Sequence, residues 1–374
     1  MKIAMFGQKR IPSREGGVEI VVEELSTRMA ALGHKVTCYN RRGHHVSGSQ
    51  YDTNIKKYYN DVRIKAVPTI EKKGLAAVSS SFFAALCSLF GRYDVVHIHA
   101  EGPAAFCFIP KLFRKRVVVT VHGLDWQREK WKSGFGAKYI HFGEKMAVKH
   151  ADEIIVLSKG VQRYFMDTYG RETVFIPNGV NRPEIKPADI INKRFGLSKD
   201  SYILYLGRIV PEKGEHYLIE AFKQIDTDKK LVIAGGSSDT DEYMDRLKMM
   251  AQGDERIMFT GFVQGQILEE LYSNAYIYIL PSDLEGMPLS LLEAMSYGNC
   301  CLVSDIKECT EVIEDKAEVF RKSDIDDLRI RLQELCSRED LVQKYKKDAA
   351  EYICGRYDWN KIVDKTLELY KGER

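Results

Sequence analysis

The sequence has no paired-cysteine signature. Its eight cysteines (Cys38, Cys87, Cys107, Cys300, Cys301, Cys309, Cys336 and Cys354) include no CxxC and are sparse in 374 residues. They read as reduced residues of a cytoplasmic protein, not a disulfide scaffold. No GxGxxG occurs, so the dinucleotide fingerprint is absent. No apolar run is long enough to span a bilayer, which takes ~20 residues. The longest uncharged stretch, Leu75 to Phe90, includes Ser79, Ser80, Ser81 and Ser88. It reads as a buried helix, with an interfacial helix as the alternative. The opening Met1 to Gly7 reads as a short apolar strand and not a signal peptide, because a glycine loop follows at once.

Net charge is also small, +3, but it is unevenly placed. Residues 1–180 hold 28 Lys and Arg against 16 Asp and Glu, which is +12. The remaining residues hold 56 − 28 = 28 against 53 − 16 = 37, which is −9. A length of 374 residues exceeds what one core normally supports, so two or three domains are expected, with a boundary near 180.

The first half opens strand, loop, helix, strand. Residues 2–7 form an apolar run, and Gln8 to Gly17 is a polar loop. Val18, Val21, Val22, Leu25, Met29 and Leu32 then recur at helical spacing, and Lys35 to Tyr39 is the next strand. This is a parallel α/β beginning. Gly16 and Gly17 stand at the helix start, where a backbone without side chains can approach a phosphate, or can simply turn. Later strands are read at 94–99, 116–121 and 151–157. His122 ends one of them, followed by Gly123-Leu124-Asp125, and parallel folds hold ligands at such strand ends. His97 and His99 read as structural.

Residues 126–150 interleave aromatics such as Trp126, Trp131, Phe135, Tyr139 and Phe142 with Arg128, Lys130, Lys132 and Lys138. Three readings stay open there: an amphipathic helix with its aromatics inward, a membrane-surface helix, or nucleic-acid binding. Pro177-Asn178-Gly179 is a turn.

The second half repeats the pattern. Tyr202 to Leu206 is a strand, and Gly207-Arg208-Ile209-Val210-Pro211-Glu212-Lys213-Gly214 is the loop before a helix. Arg208 and Lys213 suit a diphosphate, one offering a two-pronged fork and the other a point charge. Asp239-Thr240-Asp241 spells DxD, but in a polar loop before a helix it reads as capping and not as a metal site.

Residues 283–298 follow the apolar run 275–280. Pro288 suits a first helical turn, Leu291, Leu292 and Met295 repeat at helical spacing, and Gly298 stops the helix. Gly286, Met287 and Pro288 aim backbone N–H groups and the helix end at one spot, with Glu285 before it and Glu293 on the helix. Two carboxylates can accept hydrogen bonds from sugar hydroxyls.

Glu285-x7-Glu293, with Gly286 and Pro288 between, resembles the signature of the retaining glycosyltransferases of family 4, which have the GT-B fold. The resemblance runs from Gly16-Gly17 through Gly207-Arg208…Lys213-Gly214 to Tyr357-Asp358-Trp359, nearly the whole chain. It implies two Rossmann-like α/β domains facing each other across a cleft: an acceptor domain over 1–180, a donor domain over 181–355, and a C-terminal helix, 356–374, packing back on the first. It implies that Arg208, Lys213 and the loop of Gly16 and Gly17 hold the donor diphosphate. Glu285 and His122 meet the donor sugar, with Asp125 in the same loop. Glu293 holds the ribose, the segment around Phe262 seats the base, and Gly286, Met287, Pro288 and Leu289 line the same site. The string Ile11-Pro-Ser-Arg-Glu-Gly-Gly-Val-Glu19 is similar to a rhamnosyltransferase-like subset that builds surface polysaccharide.

The expected activity is therefore transfer of a sugar from a nucleotide-sugar donor to a glycan or lipid-linked sugar acceptor. No cofactor, metal or nucleic acid is expected. Peripheral membrane contact through the N-terminal half is expected, placing the protein in the cytoplasm or at the inner face of the membrane. Two alternatives stand beside this: a nucleotide-sugar epimerase or hydrolase on the same fold, and a non-catalytic scaffold subunit.

Overall fold

The computed structural model describes residues 1–43, 57–72, 74–127, 134–237 and 241–372. The chain forms two compact units: Met1–Gly179 with Trp359–Arg374, and Val180–Asp358.

The first unit contains the strands β1 (Lys2–Phe6), β2 (Lys35–Arg41), β3 (Tyr58–Tyr59), β4 (Val62–Val67), β5 (Val95–His99), β6 (Arg116–Val121), β7 (Glu153–Val156) and β8 (Val174–Phe175). Among the described residues they form one sheet in the order β3-β4-β2-β1-β5-β6-β7-β8. Only β3 is antiparallel to its neighbour, β4. The central strands are almost wholly buried because helices cover both faces of a parallel sheet. Ile3, Ala4, Val96, Ile98, Val117 and Val119 are all buried. Each valine or isoleucine among them contributes about 1.5–3 kcal/mol on burial.

Central β1 pairs with β2 on one side and β5 on the other, in register Ile3↔Val36 and Ile3↔Val95. The chain order thus reverses between β1 and β5, and the loops after these strands diverge there. The helix Gly17–Ala31 buries Val21, Val22, Leu25 and Met29, the face its spacing predicted.

The helix Leu75–Leu89 differs from a fully buried helix. It buries Ser80, Ser81, Ala84, Ala85 and Ser88, while Leu75 and Phe82 are exposed. The buried serines satisfy themselves locally: Ser80 and Ser81 Oγ donate to the carbonyls of Ala76 and Ala77, each at 2.7 Å. Small residues on the inner face let this helix lie close; Leu75 and Phe82 are left outside, while Phe83, Leu86 and Leu89 pack against the core from its flanks.

Residues Phe135–His150 form a helix, and Arg128, Lys130, Trp131 and Lys132 lie outside the described residues. Its aromatics divide: Phe142 is exposed, and the Tyr139 hydroxyl is buried. The last helix, Trp359–Lys371, belongs to the first unit. Tyr370 hydroxyl meets His97 Nδ1 at 2.6 Å, and Arg116 donates to the Leu369 carbonyl at 2.9 Å.

The second unit contains β9 (Tyr202–Leu206), β10 (Lys230–Ala234), β11 (Ile257–Gly261), β12 (Ile277–Leu280), β13 (Cys300–Ser304) and β14 (Glu318–Phe320). Among the described residues they form a parallel sheet in the order β11-β10-β9-β12-β13-β14. Its reversal lies between β9 and β12, paired through Ile203↔Ile277 and Leu204↔Tyr278. Residues Ile203, Tyr205, Leu218, Phe222, Leu231, Ile277 and Leu302 share one core beneath it.

Candidate active site

In the second unit the residues singled out in the sequence gather at the carboxyl ends of the strands. The β9 loop carries Arg208 and Lys213, and the β12 loop carries Glu285, so the two loops flank the reversal point. Gly214 joins them closely. Its φ is +73°, and a Cβ there would stand 2.1 Å from the Pro281 carbonyl oxygen. Any other residue would be strained and would push the loops apart.

The loops are also tied by the Asp283 N–H, which donates to the Glu212 carbonyl at 2.9 Å. Tyr217 hydroxyl donates to Asp283 at 3.0 Å. This brings Lys213 and Glu285 into an ion pair, with side chains 14% and 7% exposed. Glu285 Oε1 also accepts from Ser282 Oγ at 2.7 Å.

The Arg208 side of the loop is pinned to the next strand end. Gly207 N–H donates to the Ala234 carbonyl and Ile209 N–H to the Gly236 carbonyl, both at 3.0 Å. A Cβ on Gly235 would stand 1.8 Å from the Gly207 carbonyl oxygen. Gly235 in turn donates to the Gly261 carbonyl at 3.0 Å, which sets the half-buried Phe262 beside Gly236. The ends of β9, β10 and β11 are thus laced in sequence.

Pro288 stands at the N-cap, with ψ 98°, one residue before the helix Leu289–Ser296 and not in its first turn. Gly286, Met287, Pro288 and Leu289 are buried. Glu293 is half-buried and accepts from the Tyr272 hydroxyl at 3.3 Å. Tyr272 stacks on Tyr297 with ring centroids 5.3 Å apart. Sequence reasoning missed Tyr272, because nothing in the spacing ties the helix Gln266–Asn274 to Glu293. Asp239 and Thr240 lie outside the described residues. Asp241 begins the helix Asp241–Ala251 and accepts from Ser237 Oγ at 2.5 Å.

In the first unit, Gly7 at the end of β1 has φ +121°, and a Cβ there would stand 2.0 Å from the His99 carbonyl oxygen. Gly16 is the extended N-cap of the helix Gly17–Ala31. A Cβ on Gly16 would meet Glu19 Oε2 at 2.6 Å. Glu19 Oε1 accepts from the Lys9 N–H at 2.8 Å, so this acid braces the glycine loop. The sequence reading passed over Glu19.

His122 and Asp125 share the loop after β6. His122 Nε2 lies 3.1 Å from His99 Nδ1. Asp125 N–H donates to Glu101 Oε2 at 2.8 Å. Burial, then Asp125 and Glu144 nearby, raise the Glu101 carboxyl well above the usual range. His97 bonds Tyr370 and, at 2.7 Å, Thr120, so both its ring nitrogens serve the fold. Burial depresses its pKa to about 3.

Residues 15–182 match the family described as Glycosyltransferase Family 4, and residues 188–352 match Glycosyl transferases group 1. The chain is 27% identical to an uncharacterized glycosyltransferase of Methanocaldococcus jannaschii, over 99% of this chain and 98% of that one. It is 28% identical to the UDP-Gal:alpha-D-GlcNAc-diphosphoundecaprenol alpha-1,3-galactosyltransferase of Escherichia coli, over 75% of each chain. Among solved structures, the sucrose-phosphate synthase of Thermosynechococcus elongatus superposes with a TM-score of 0.82 at 22% identity, over 99% of this chain and 98% of that one.

Proposed function

Because the chain is a glycosyltransferase, a family 4 domain followed by a group 1 domain on the GT-B fold, we propose that it transfers a hexose or deoxyhexose from a nucleotide-sugar donor, with retention of anomeric configuration, to a lipid-linked glycan in cell-surface polysaccharide synthesis. The observation that carries this reading is the meeting of Lys213 with Glu285 at the reversal point of the second sheet, with Arg208 on the same loop.

A cation and a carboxylate held side by side suit a ligand that offers both an anion and hydroxyls. Arg208 and Lys213 take the donor diphosphate, and Glu285 accepts from hydroxyls of the sugar. Glu293, oriented by Tyr272, accepts from the ribose, and the base runs along the backbone at Phe262. Gly286 to Leu289 close the turn around them. As the glycosidic bond breaks, charge grows on the leaving diphosphate. Fixed cations stabilise that charge most where it develops. A leaving phosphate oxygen takes the acceptor proton, so no side chain acts as base and no metal or cofactor is needed. In the first unit, Gly16, Gly17, His122 and Asp125 lie on strand-end loops suited to sugar and phosphate groups. The Ile11–Glu19 string favours a rhamnosyltransferase-like donor.

Two features favour a lipid-linked acceptor. The Escherichia coli relative is named for a diphosphoundecaprenol acceptor. A groove of about 360 Å³ lies beside the helix Leu75–Leu89, lined by Ile70, Leu75, Val78, Phe82 and Phe106. With the basic excess of residues 1–180, that surface suits peripheral contact with the inner face of an anionic membrane. Among the described residues no helix is long and apolar enough to cross one.

The test is a thermal-shift panel of nucleotide diphosphates and nucleotide sugars, followed by product analysis with a diphosphate-lipid glycan acceptor. Binding only to the folded state raises the melting temperature by mass action. A donor that is consumed at full rate without acceptor defeats the transferase reading in favour of a hydrolase. Transfer to soluble glycans alone defeats the lipid-linked acceptor.

A further inference from the structure

We infer that Glu215 is a positioning residue: a buried carboxylic acid that, when protonated, completes a hydrogen-bond relay holding the backbone at Arg208. The inference rests on the reading of Arg208 as a ligand of the donor diphosphate.

Glu215 is the first residue of the helix Glu215–Phe222 and is fully buried. Tyr205, from β9, faces its Oε1 at 2.7 Å, and Tyr243, from the helix Asp241–Ala251, faces its Oε2 at 3.1 Å. The same Tyr205 hydroxyl lies 3.0 Å from the Arg208 carbonyl. It also lies beneath Gly207, where a Cβ would stand only 2.9 Å away.

Tyr205 therefore has one hydrogen and two acceptors within reach. If Glu215 is ionised, the charged carboxylate takes that hydrogen, and the Arg208 carbonyl loses this donor. If Glu215 is protonated, its Oε1–H donates to the Tyr205 oxygen. Tyr205 then donates to the Arg208 carbonyl, and Tyr243 still donates to Oε2. Only the protonated acid leaves the Tyr205 hydrogen to the Arg208 carbonyl while Tyr243 keeps its acceptor.

The surroundings favour that acid. Burial, the strongest influence, raises its pKa to about 8, against the opposing pull of the Tyr205 and Tyr243 hydrogen bonds and of Lys213. His216 on the same helix bonds the Tyr243 hydroxyl at 2.8 Å. Farther out, Tyr278 and Glu285 act on Tyr205, and Arg246 on Tyr243. The helix Ile325–Ser337 packs on the same core with Leu328, Leu332 and Leu335.

Glu215→Gln mimics the protonated acid, because its carboxamide donates to Tyr205 and accepts from Tyr243. Tyr205→Phe keeps the ring and cuts the relay. The experiment measures UDP binding by calorimetry from pH 6 to 10, with melting curves and a carbon-13 titration of the Glu215 carboxyl. Wild-type affinity should fall about 2- to 10-fold through one step near pH 8, the worth of one hydrogen bond. Glu215→Gln should lack that step, and Tyr205→Phe should bind weakly throughout. Without any ligand, Glu215→Gln should gain melting temperature over wild type as pH rises from 6 to 8, because over that range the unfolded wild type has released a proton that its folded form still holds. The same alkaline step in wild type and Glu215→Gln, no such gain in melting temperature, or a carboxyl already ionised at pH 6.5 overturns the relay. Wild-type affinity in Arg208→Ala overturns the diphosphate reading instead, and the carboxyl titration distinguishes the two failures.

Discussion

Lys213 and Glu285, 72 positions apart in the chain, form an ion pair in which neither side chain is more than one-seventh exposed. The pair is possible because Gly214 lets the β9 loop reach the Pro281 carbonyl of the β12 loop. A solvated loop would tolerate loss of either charge. Here, removing one partner leaves the other nearly buried and uncompensated, which typically costs about 3–5 kcal/mol. Lys213→Ala and Glu285→Ala should each lower the melting temperature, and the double substitution should cost less than their sum. A double-mutant cycle by chemical denaturation checks this, and strict additivity counts against the coupling.

Activity should need both cations. Arg208→Ala and Lys213→Ala should each slow transfer about 100-fold or more, as removal of other charge-stabilising donors does. Lys213→Ala should also destabilise the fold, through the lost pair with Glu285. Turnover beside melting curves reads both effects, and near-normal turnover in both variants would remove their role at the diphosphate.

The two glutamates should divide the ligand. Glu293→Ala should weaken free UDP, while Glu285→Ala should weaken only the nucleotide sugar. Tyr272→Phe should resemble a mild Glu293 variant, because its hydroxyl orients that carboxylate at 3.3 Å. Calorimetry with both ligands decides, and equal loss of UDP in both glutamate variants contradicts the division.

His97 should make the first unit acid-sensitive. Its folded pKa is depressed to about 3, against 6.5 for an ordinary histidine. The unfolded chain therefore binds the proton first. This contribution to stability is complete above pH 6.5 and is lost as pH falls toward 3, by about 2 kcal/mol between 6.5 and 5. Melting curves at pH 7 and 5 should show a smaller acid loss in His97→Gln than in wild type. Equal losses would mean that other groups carry the acid sensitivity.

Membrane contact should be peripheral and salt-sensitive. Binding to anionic vesicles should exceed binding to neutral ones at low salt and fall at high salt. Leu75→Ser with Phe82→Ser should weaken it, with only a small fall in melting temperature from the contacts Phe82 makes with Phe83 and Phe106. Co-sedimentation measures this, and equal, negligible binding to both vesicle types ends the proposal.

The two parallel α/β halves were legible in the order of residues, because apolar runs ending in glycine loops leave little choice of strand. That order also marked Arg208, Lys213, Glu285, Glu293 and His122, since charged groups in strand-end loops stand out against apolar neighbours. Short strands such as β3 and β14 were not readable, for a few residues carry no periodicity and take their form from the partner they pair with. Nor was the outward face of the helix Leu75–Leu89, whose serines satisfy themselves on their own helix and so can be buried in place of leucine. Which groups meet was settled by packing in three dimensions. That packing paired Lys213 with Glu285, set Tyr272 beneath Glu293, braced the Gly16 loop with Glu19 and enclosed Glu215 between Tyr205 and Tyr243. Each of these contacts depends on how strand ends and helices are brought together in space. Local spacing records what a segment prefers, but it does not record which distant carboxylate or hydroxyl will stand opposite it.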